Sequence, residues 1–400
     1  MRRFARLALA AACVAGVAVP ASPAGRADVA LRLARALAVP HAGVTAALAV
    51  DLADGSTIFR RRDTVGLVPA SNEKLAVTYT ALAVLGPTYR IDTTVYGEGE
   101  LIDGVWHGDL VLKGFGDPTL SRRDLRRLAA QLRAGGVRRV TGGVLGDESF
   151  FDAKRVGPLW KRGFYMTESP PLSALTVDRS SYRGRITSEP ALAAARAFRD
   201  LLVRAGIRVA RPAGTGRADG GAFPLATVRS VPMSVLVRWM NGESDNFMAE
   251  LLLKQLGAVE NQQGTTARGA AVVRRTLAAV DVPLAGVRLV DGSGLSPYDR
   301  LTAGALVGIL EAAWKDPGIR RPFVASLPVA GRSGTLADRL RTPPARGHVI
   351  AKTGTTDTAS TLAGYVRRRF AFAVLNNGRP VNTDSARRAQ DRFASVLAAQ

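Results

Sequence analysis

The order of strand-like and helix-like segments constrains the fold of this chain more than any single motif does. Residues 44–63, VTAALAVDLADGSTIFRRRD, read as two strands around the turn at Asp54-Gly55. At the other end, GHVIAKTGTT and STLAGYVRRRFAFAVLNNG read as two further strands, followed by the helix TDSARRAQDRFASVLAAQ, whose apolar residues fit one face packed on a sheet. Between the ends lie helical patterns: one from Ser71 to about Leu85, stopped by Gly86-Pro87, and then MSVLVRWMNG, SDNFMAELLLKQLG, TTARGAAVVRRTLAAV and TAGALVGILEAAWK. Strands at both ends with helices between predict one α/β domain, 28–88 and 229–400. Its interruption, residues 89–228, is alternating and turn-rich, so an inserted strand-rich domain is expected there. That insert also holds SRRDLRRLAAQLRAGG, a helix with Ser121 as its N-cap, and a helix from about Ala191 to Ala205.

Four hundred residues suffice for such an arrangement, about two or three domains' worth of chain. The first segment falls outside it. MRRFARLALAAACVAGVAVPASPAGRA has a basic start, an apolar run from Leu7 to Val19 and then small residues, so residues 1–27 read as a secretory signal. Its removal would leave an exported protein with no membrane span. The single cysteine, Cys13, lies within it, which leaves no disulfide, thiol nucleophile or thiolate metal site elsewhere. His41, His107 and His348 are scattered without ligand spacing, and neither a metal nor another cofactor is expected. The formal charge of +22 comes mostly from arginines spread along the chain, with no zinc finger, basic helix or aromatic-basic stripe. Nucleic acid is therefore not expected as a partner. Anionic envelope polymers suit an exported basic protein, and a dispersed arginine-rich composition alone explains the charge equally well.

Three short motifs stand in order on suitable elements. Ser71-x-x-Lys74 opens the first helix, Ser244-x-Asn246 opens another, and Lys352-Thr353-Gly354 lies on a strand. Singly each has a structural alternative: a helix cap and a solvated lysine, an N-cap, an edge strand entering a turn. Chance alone yields about 0.3, 0.4 and 0.05 matches respectively, so the ordered trio carries the signal that its parts lack. Residues three apart share a helix face, so Lys74 can reach the Ser71 hydroxyl. The N–H groups at a helix start favour the negative charge that develops there. A lysine with an ordinary pKa costs about 4.6 kcal/mol to deprotonate at pH 7, and burial or a second cation lowers that cost. Lys352 is the expected cation.

The trio resembles that of the penicillin-binding proteins. With GFGDPTL, GDESFF, SALTVDRS, SDNFMAELLLK, DGSGLSPYDRLT, SLPVAGRSGTLADRL and AKTGTTDTASTLAGYV, the chain from about residue 40 resembles the low-molecular-mass class C penicillin-binding proteins, the D-alanyl-D-alanine carboxypeptidase/endopeptidase family. The resemblance implies a penicillin-binding/β-lactamase-like transpeptidase domain, an antiparallel sheet with helices, carrying its insert between the first two motifs. It implies a serine DD-peptidase that cleaves the D-Ala-D-Ala end of peptidoglycan stem peptides through an acyl-enzyme, with cross-link cleavage a second possible activity and β-lactams as covalent inhibitors. Ser71 is then the nucleophile and Lys74 its base. Ser244 relays a proton to the leaving amine, and Asn246 holds Lys74 and the substrate in register. Lys352 faces the terminal carboxylate with Thr353 and Thr355, and Gly354 lets the substrate lie close to the strand. The N–H groups of Ser71 and Thr355 form the oxyanion hole. Ser293 and Arg300, in DGSGLSPYDR, are further cleft candidates, while Asp117 and Asp147 are expected to set turns.

Two other functions compete. A class A β-lactamase needs a Glu-x-x-x-Asn loop between the first two motifs, and none occurs between Lys74 and Ser244. A non-catalytic envelope-binding protein of the same fold has no need of the Ser71–Lys74 pair.

Overall fold

The computed structural model describes residues 23–38, 43–261 and 264–400. The expected signal up to residue 22, with Cys13, and His41 lie outside the described residues. Helix α1 (Pro23–Ala36) precedes the hairpin of β1 (Val44–Asp51) and β2 (Thr57–Arg61), and α2 (Glu73–Thr80) follows. The middle of the chain holds β3 (Asp92–Ile102), β4 (Val105–Gly114), α3 (Arg122–Ala134), β5 (Arg139–Val140) and β6 (Val144–Asp147). After them come β7 (Ser181–Tyr182), β8 (Arg185–Ile186), α4 (Pro190–Arg204), β9 (Arg208–Val209), β10 (Gly214–Thr215) and β11 (Phe223–Arg229). Helices α5 (Met233–Glu243), α6 (Asn246–Asn261), α7 (Thr266–Ala278), α8 (Ala303–Lys315) and α9 (Arg320–Ser326) lead to β12 (Val349–Thr356), β13 (Ala359–Val366), β14 (Phe370–Asn377) and α10 (Thr383–Ala398).

The two ends of the chain meet in one antiparallel sheet of order β12-β13-β14-β1-β2. Side chains alternate across a strand, and β1 uses both faces. Ala46, Leu48 and Val50 enter the core shared with α2, α5 and α8, while Ala47 and Ala49 enter the core beneath α1 and α10. Phe393 and Leu397 bury α10 against the sheet, as its pattern predicted. The sheet is thus covered on both sides.

One segment differs from expectation. Residues 359–377 form two strands rather than one, because Arg367 and Arg368 turn the chain with φ of 51° and 55°. Paired positive φ values match the twist of a tight hairpin, a conformation that arginines do not advertise in sequence. Helix α9, seven residues long, is too short to show a period.

A second sheet runs β10-β6-β4-β3-β11, with β5 beside β4 and β9 beside β5. Its own core joins Val95 and Leu112 to Leu125, Leu128 and Phe198 of α3 and α4. Ser121 caps α3 as expected, and its N–H and hydroxyl both donate to Asp124, at 3.1 and 2.6 Å. Asp117 sets its turn by accepting the N–H of Thr119 at 2.8 Å, and Asp147 accepts that of Ser149 at 2.8 Å. Among the described residues no helix is long and apolar enough to cross a membrane.

Candidate active site

Ser71 lies in a tight 3-10 turn, Ala70–Asn72, that opens α2. Ala70 before it is fully buried with φ of 47°, a left-handed conformation that costs a non-glycine residue roughly 1–3 kcal/mol. Packing holds it there. Gly294 lies so close that a Cβ would fall 1.8 Å from the Ala70 carbonyl oxygen. One turn on, Lys74 is fully buried, and its Nζ donates to Ser71 Oγ at 3.0 Å, Asn246 Oδ1 at 2.8 Å and the Ser293 carbonyl at 2.7 Å.

These three partners fit either protonation state, an ammonium giving one hydrogen to each. The Asn246 Nδ2 donates to the Glu168 carbonyl at 3.1 Å, which fixes the amide so that its oxygen faces Lys74. Asn246 Oδ1 and Ser293 O can only accept, so a neutral amine gives them its two hydrogens and turns its lone pair to the Ser71 hydroxyl. Burial lowers the Lys74 pKa from the ordinary lysine value to about 8, against the opposing pull of Asp291, Glu250, Asp245 and Glu73. The expected repulsion between the two lysines shows on Lys352. Lys352 is itself fully buried, and burial with the neighbouring Lys74 charge holds its own pKa well below the usual range.

Ser244 occupies the break between α5 and α6 with φ of 58°, and its Oγ accepts from Lys352 Nζ at 2.8 Å. Lys352 also donates to the Thr353 carbonyl at 2.8 Å, so its amine lies beneath the cleft wall rather than in it. Gly354 serves a different contact from the one expected. A Cβ there would meet Thr361 Oγ1 at 2.3 Å, the Pro69 carbonyl at 2.8 Å and the Ser71 nitrogen at 2.9 Å. Its missing side chain therefore lets β12 close on the Ser71 turn.

Ser71, Ser244, Asn246, Thr353 and Thr355 line a cleft of about 630 Å³, together with Leu295 and Thr335. Glu168 and Arg179 of the middle segment line it too. Arg179 pairs with Asp245 at 2.5 Å, beside Ser244. Glu168 carries no local motif, Arg179 lies in the SALTVDRS block, and the tertiary fold brings both here. A cleft of about 770 Å³ between β1 and α8 contains none of the motif residues.

Two sequence candidates fall elsewhere. Arg300 is turned back on its own loop, donating to the carbonyls of Pro297 and Asp299 at 2.8 and 2.7 Å, and does not line the cleft. Ser293 is fully buried and meets Lys74 through its carbonyl, not its hydroxyl.

Comparison with known proteins gives the family and the fold. The model of the D-Ala-D-Ala carboxypeptidase 3 (S13) family matches residues 29–189 and 183–400. The chain is 32% identical to a D-alanyl-D-alanine carboxypeptidase of Actinomadura, over 84% of this chain and 78% of that protein. It is likewise 32% identical to the carboxypeptidase DacB of Mycolicibacterium smegmatis, over 93% and 84% of the two chains. The crystal structure of penicillin binding protein 4 from Haemophilus influenzae shares the fold, with a TM-score of 0.79, 20% identity and coverage of 93% and 98%.

Proposed function

The chain belongs to the D-Ala-D-Ala carboxypeptidase 3 (S13) family and is a serine-type DD-peptidase of peptidoglycan stem peptides, and from its geometry we propose how its residues divide the reaction. The observation that carries the proposal is the Lys74 amine, 3.0 Å from Ser71 Oγ with its other two partners pure acceptors. Neutral Lys74 takes the Ser71 proton as Oγ attacks the carbonyl between the two D-alanines. The N–H groups of Ser71 and Thr355 receive the developing oxyanion. Ser244 passes a proton to the departing amine, and the C–N bond breaks to leave a peptidyl ester on Ser71. Water then hydrolyses the ester. The same steps open a cross-link when the departing amine belongs to a neighbouring stem. A β-lactam enters by the same attack and stays as the ester.

Thr353 and Thr355 present hydroxyls to the substrate's terminal carboxylate, and the carboxylate draws a proton back onto Lys352 beneath them, since an anion offsets the burial that neutralises it. A charge-assisted contact contributes roughly 1.5–3 kcal/mol, or about 10- to 150-fold. Lys352→Ala should therefore lose kcat/KM in that range on a D-Ala-D-Ala peptide, beyond any loss on an activated ester lacking the carboxylate. Equal losses on both would remove the carboxylate from its role and leave Lys352 a partner of Ser244 alone.

The division of the chain into a catalytic domain, 28–88 and 229–400, and an inserted domain, 89–228, is part of the same proposal; separate sheets and two main cores support it, with a smaller cluster of Phe151, Leu172, Ala174, Phe247 and Leu251 packed across the boundary. So is action outside the cytoplasmic membrane after export, where the peptidoglycan lies. There the basic charge, still +18 once Arg2, Arg3, Arg6 and Arg26 leave with the signal (22 − 4), holds the protein on anionic envelope polymers. Rising salt should strip it progressively from isolated envelopes, because screening acts over about 8 Å at physiological ionic strength. Absence of binding at low salt would leave the charge as composition alone.

A further inference from the structure

Lys74 is gripped twice by α6. Asn246, at its first turn, accepts from Nζ directly. Glu250 lies four residues on and so on the same face of the helix. It is fully buried and does not touch Lys74; its Oε1 accepts the N–H groups of Gly292 and Ser293, at 3.0 and 2.9 Å. Ser293 is the residue whose carbonyl receives Lys74 Nζ at 2.7 Å. The rest of that loop is held from other sides. Asp291 accepts the N–H of Gly294 and of Ser296, each at 2.7 Å, and the Trp160 indole N–H at 2.7 Å. Gly294 abuts the Ala70 carbonyl, which bars the loop from moving toward Ser71. Asp291, through the Gly294 N–H, thus holds the peptide unit that carries the Ser293 carbonyl, and Glu250 fixes the two units before it, from which that carbonyl is carried toward Lys74.

Resting on the assignment of Lys74 as base, we infer that Glu250 is a positioning residue: through one carboxyl oxygen it sets the Ser293 carbonyl that keeps the Lys74 lone pair on Ser71. The required feature is an acceptor at the right reach, not a charge. Among the described residues Glu250 Oε2 has no hydrogen-bond partner, and burial with the neighbouring Asp291 raises the carboxyl pKa to about 8. The groups facing it are Asp291, Glu73 and Lys74, and burial with Asp291 and Glu250 beside it keeps Glu73 raised as well.

Three variants separate geometry from charge. Glu250→Gln keeps the acceptor and the shape. Glu250→Asp keeps the acid and withdraws the acceptor, and Glu250→Met keeps the volume with no acceptor. The measurement is the acylation rate constant and the pre-covalent dissociation constant for a chromogenic β-lactam, on variants whose thermal unfolding shows them folded. Glu250→Gln should acylate close to the native rate. Glu250→Asp and Glu250→Met should each lose roughly 10²-fold in the rate constant, with the dissociation constant unchanged, since a misplacement near 1 Å has that effect. The inference is overturned if Glu250→Asp acylates like the native enzyme or if Glu250→Gln falls as far as the others. Either folded loss variant suffices for the comparison. Failure of the underlying assignment looks different: acylation of the native enzyme would stay flat between pH 6 and 8, with no rise through the Lys74 pKa.

Discussion

Ser71→Ala lowers kcat/KM toward a D-Ala-D-Ala peptide by about 10⁶-fold, the scale on which a nucleophile that acts as a unit with its base is lost. Nothing else described around Lys74 replaces it. The other partners of Nζ are an amide oxygen and a backbone carbonyl, and of the two other motif hydroxyls Ser244 accepts from Lys352 and Thr353 donates to Thr335. The substitution removes an oxygen whose side-chain contact is that single bond from Lys74, at a half-buried position, so the fold should survive with an unfolding temperature close to native. Substrate binding should survive as well, because the hydroxyls of Thr353 and Thr355 remain in the cleft. A folded variant that still turns over more than a trace of peptide would require another nucleophile.

Lys74→Met should remove most of what remains of catalysis by a different route. A positioned base contributes roughly 10²–10⁴-fold, and more where it acts as one unit with its nucleophile. Methionine fills the buried volume without a lone pair. The native enzyme carries a pH signature that the variant should lack. Only the neutral amine accepts the Ser71 proton, so acylation rises with pH through the Lys74 pKa, which burial has brought to about 8. At pH 7 neutralising it costs about 1.4 kcal/mol, against about 4.6 for an ordinary lysine. Acylation by a β-lactam should therefore climb from pH 6 to a plateau above about pH 8. In Lys74→Met the residual rate should lose that rise. A native profile flat across this range would show that Lys74 is not the titrating base.

The motif residues were legible because their chemistry is local. Ser71 and Lys74 share one helical turn, and Lys352, Thr353, Gly354 and Thr355 are consecutive on one strand. Strand β1 was legible for the same reason, as a short, nearly continuous apolar run ended by the turn at Asp54-Gly55. What the sequence hid is what only tertiary contact creates. The depressed pKa of Lys74 comes first from a burial whose completeness no local pattern shows. Gly354 is read in sequence as room for a substrate, yet its absent Cβ faces the Ser71 nitrogen. Ser293 and Arg300 shared a promising loop, and the direction in which that loop turns separates a carbonyl on Lys74 from a guanidinium bound to its own backbone. Glu168 and Arg179 reach the cleft from a segment that carries none of the three motifs.

The central claim is that peptidoglycan stem peptides are cleaved through an ester on Ser71. Its most direct test is mass analysis of the native enzyme quenched during turnover of a muropeptide ending in D-Ala-D-Ala, with the trapped adduct mapped to a peptide. The account predicts free D-alanine, a shortened stem peptide, and a single peptidyl ester on the fragment that contains Ser71. An adduct on another residue, or a substrate left whole, would contradict it.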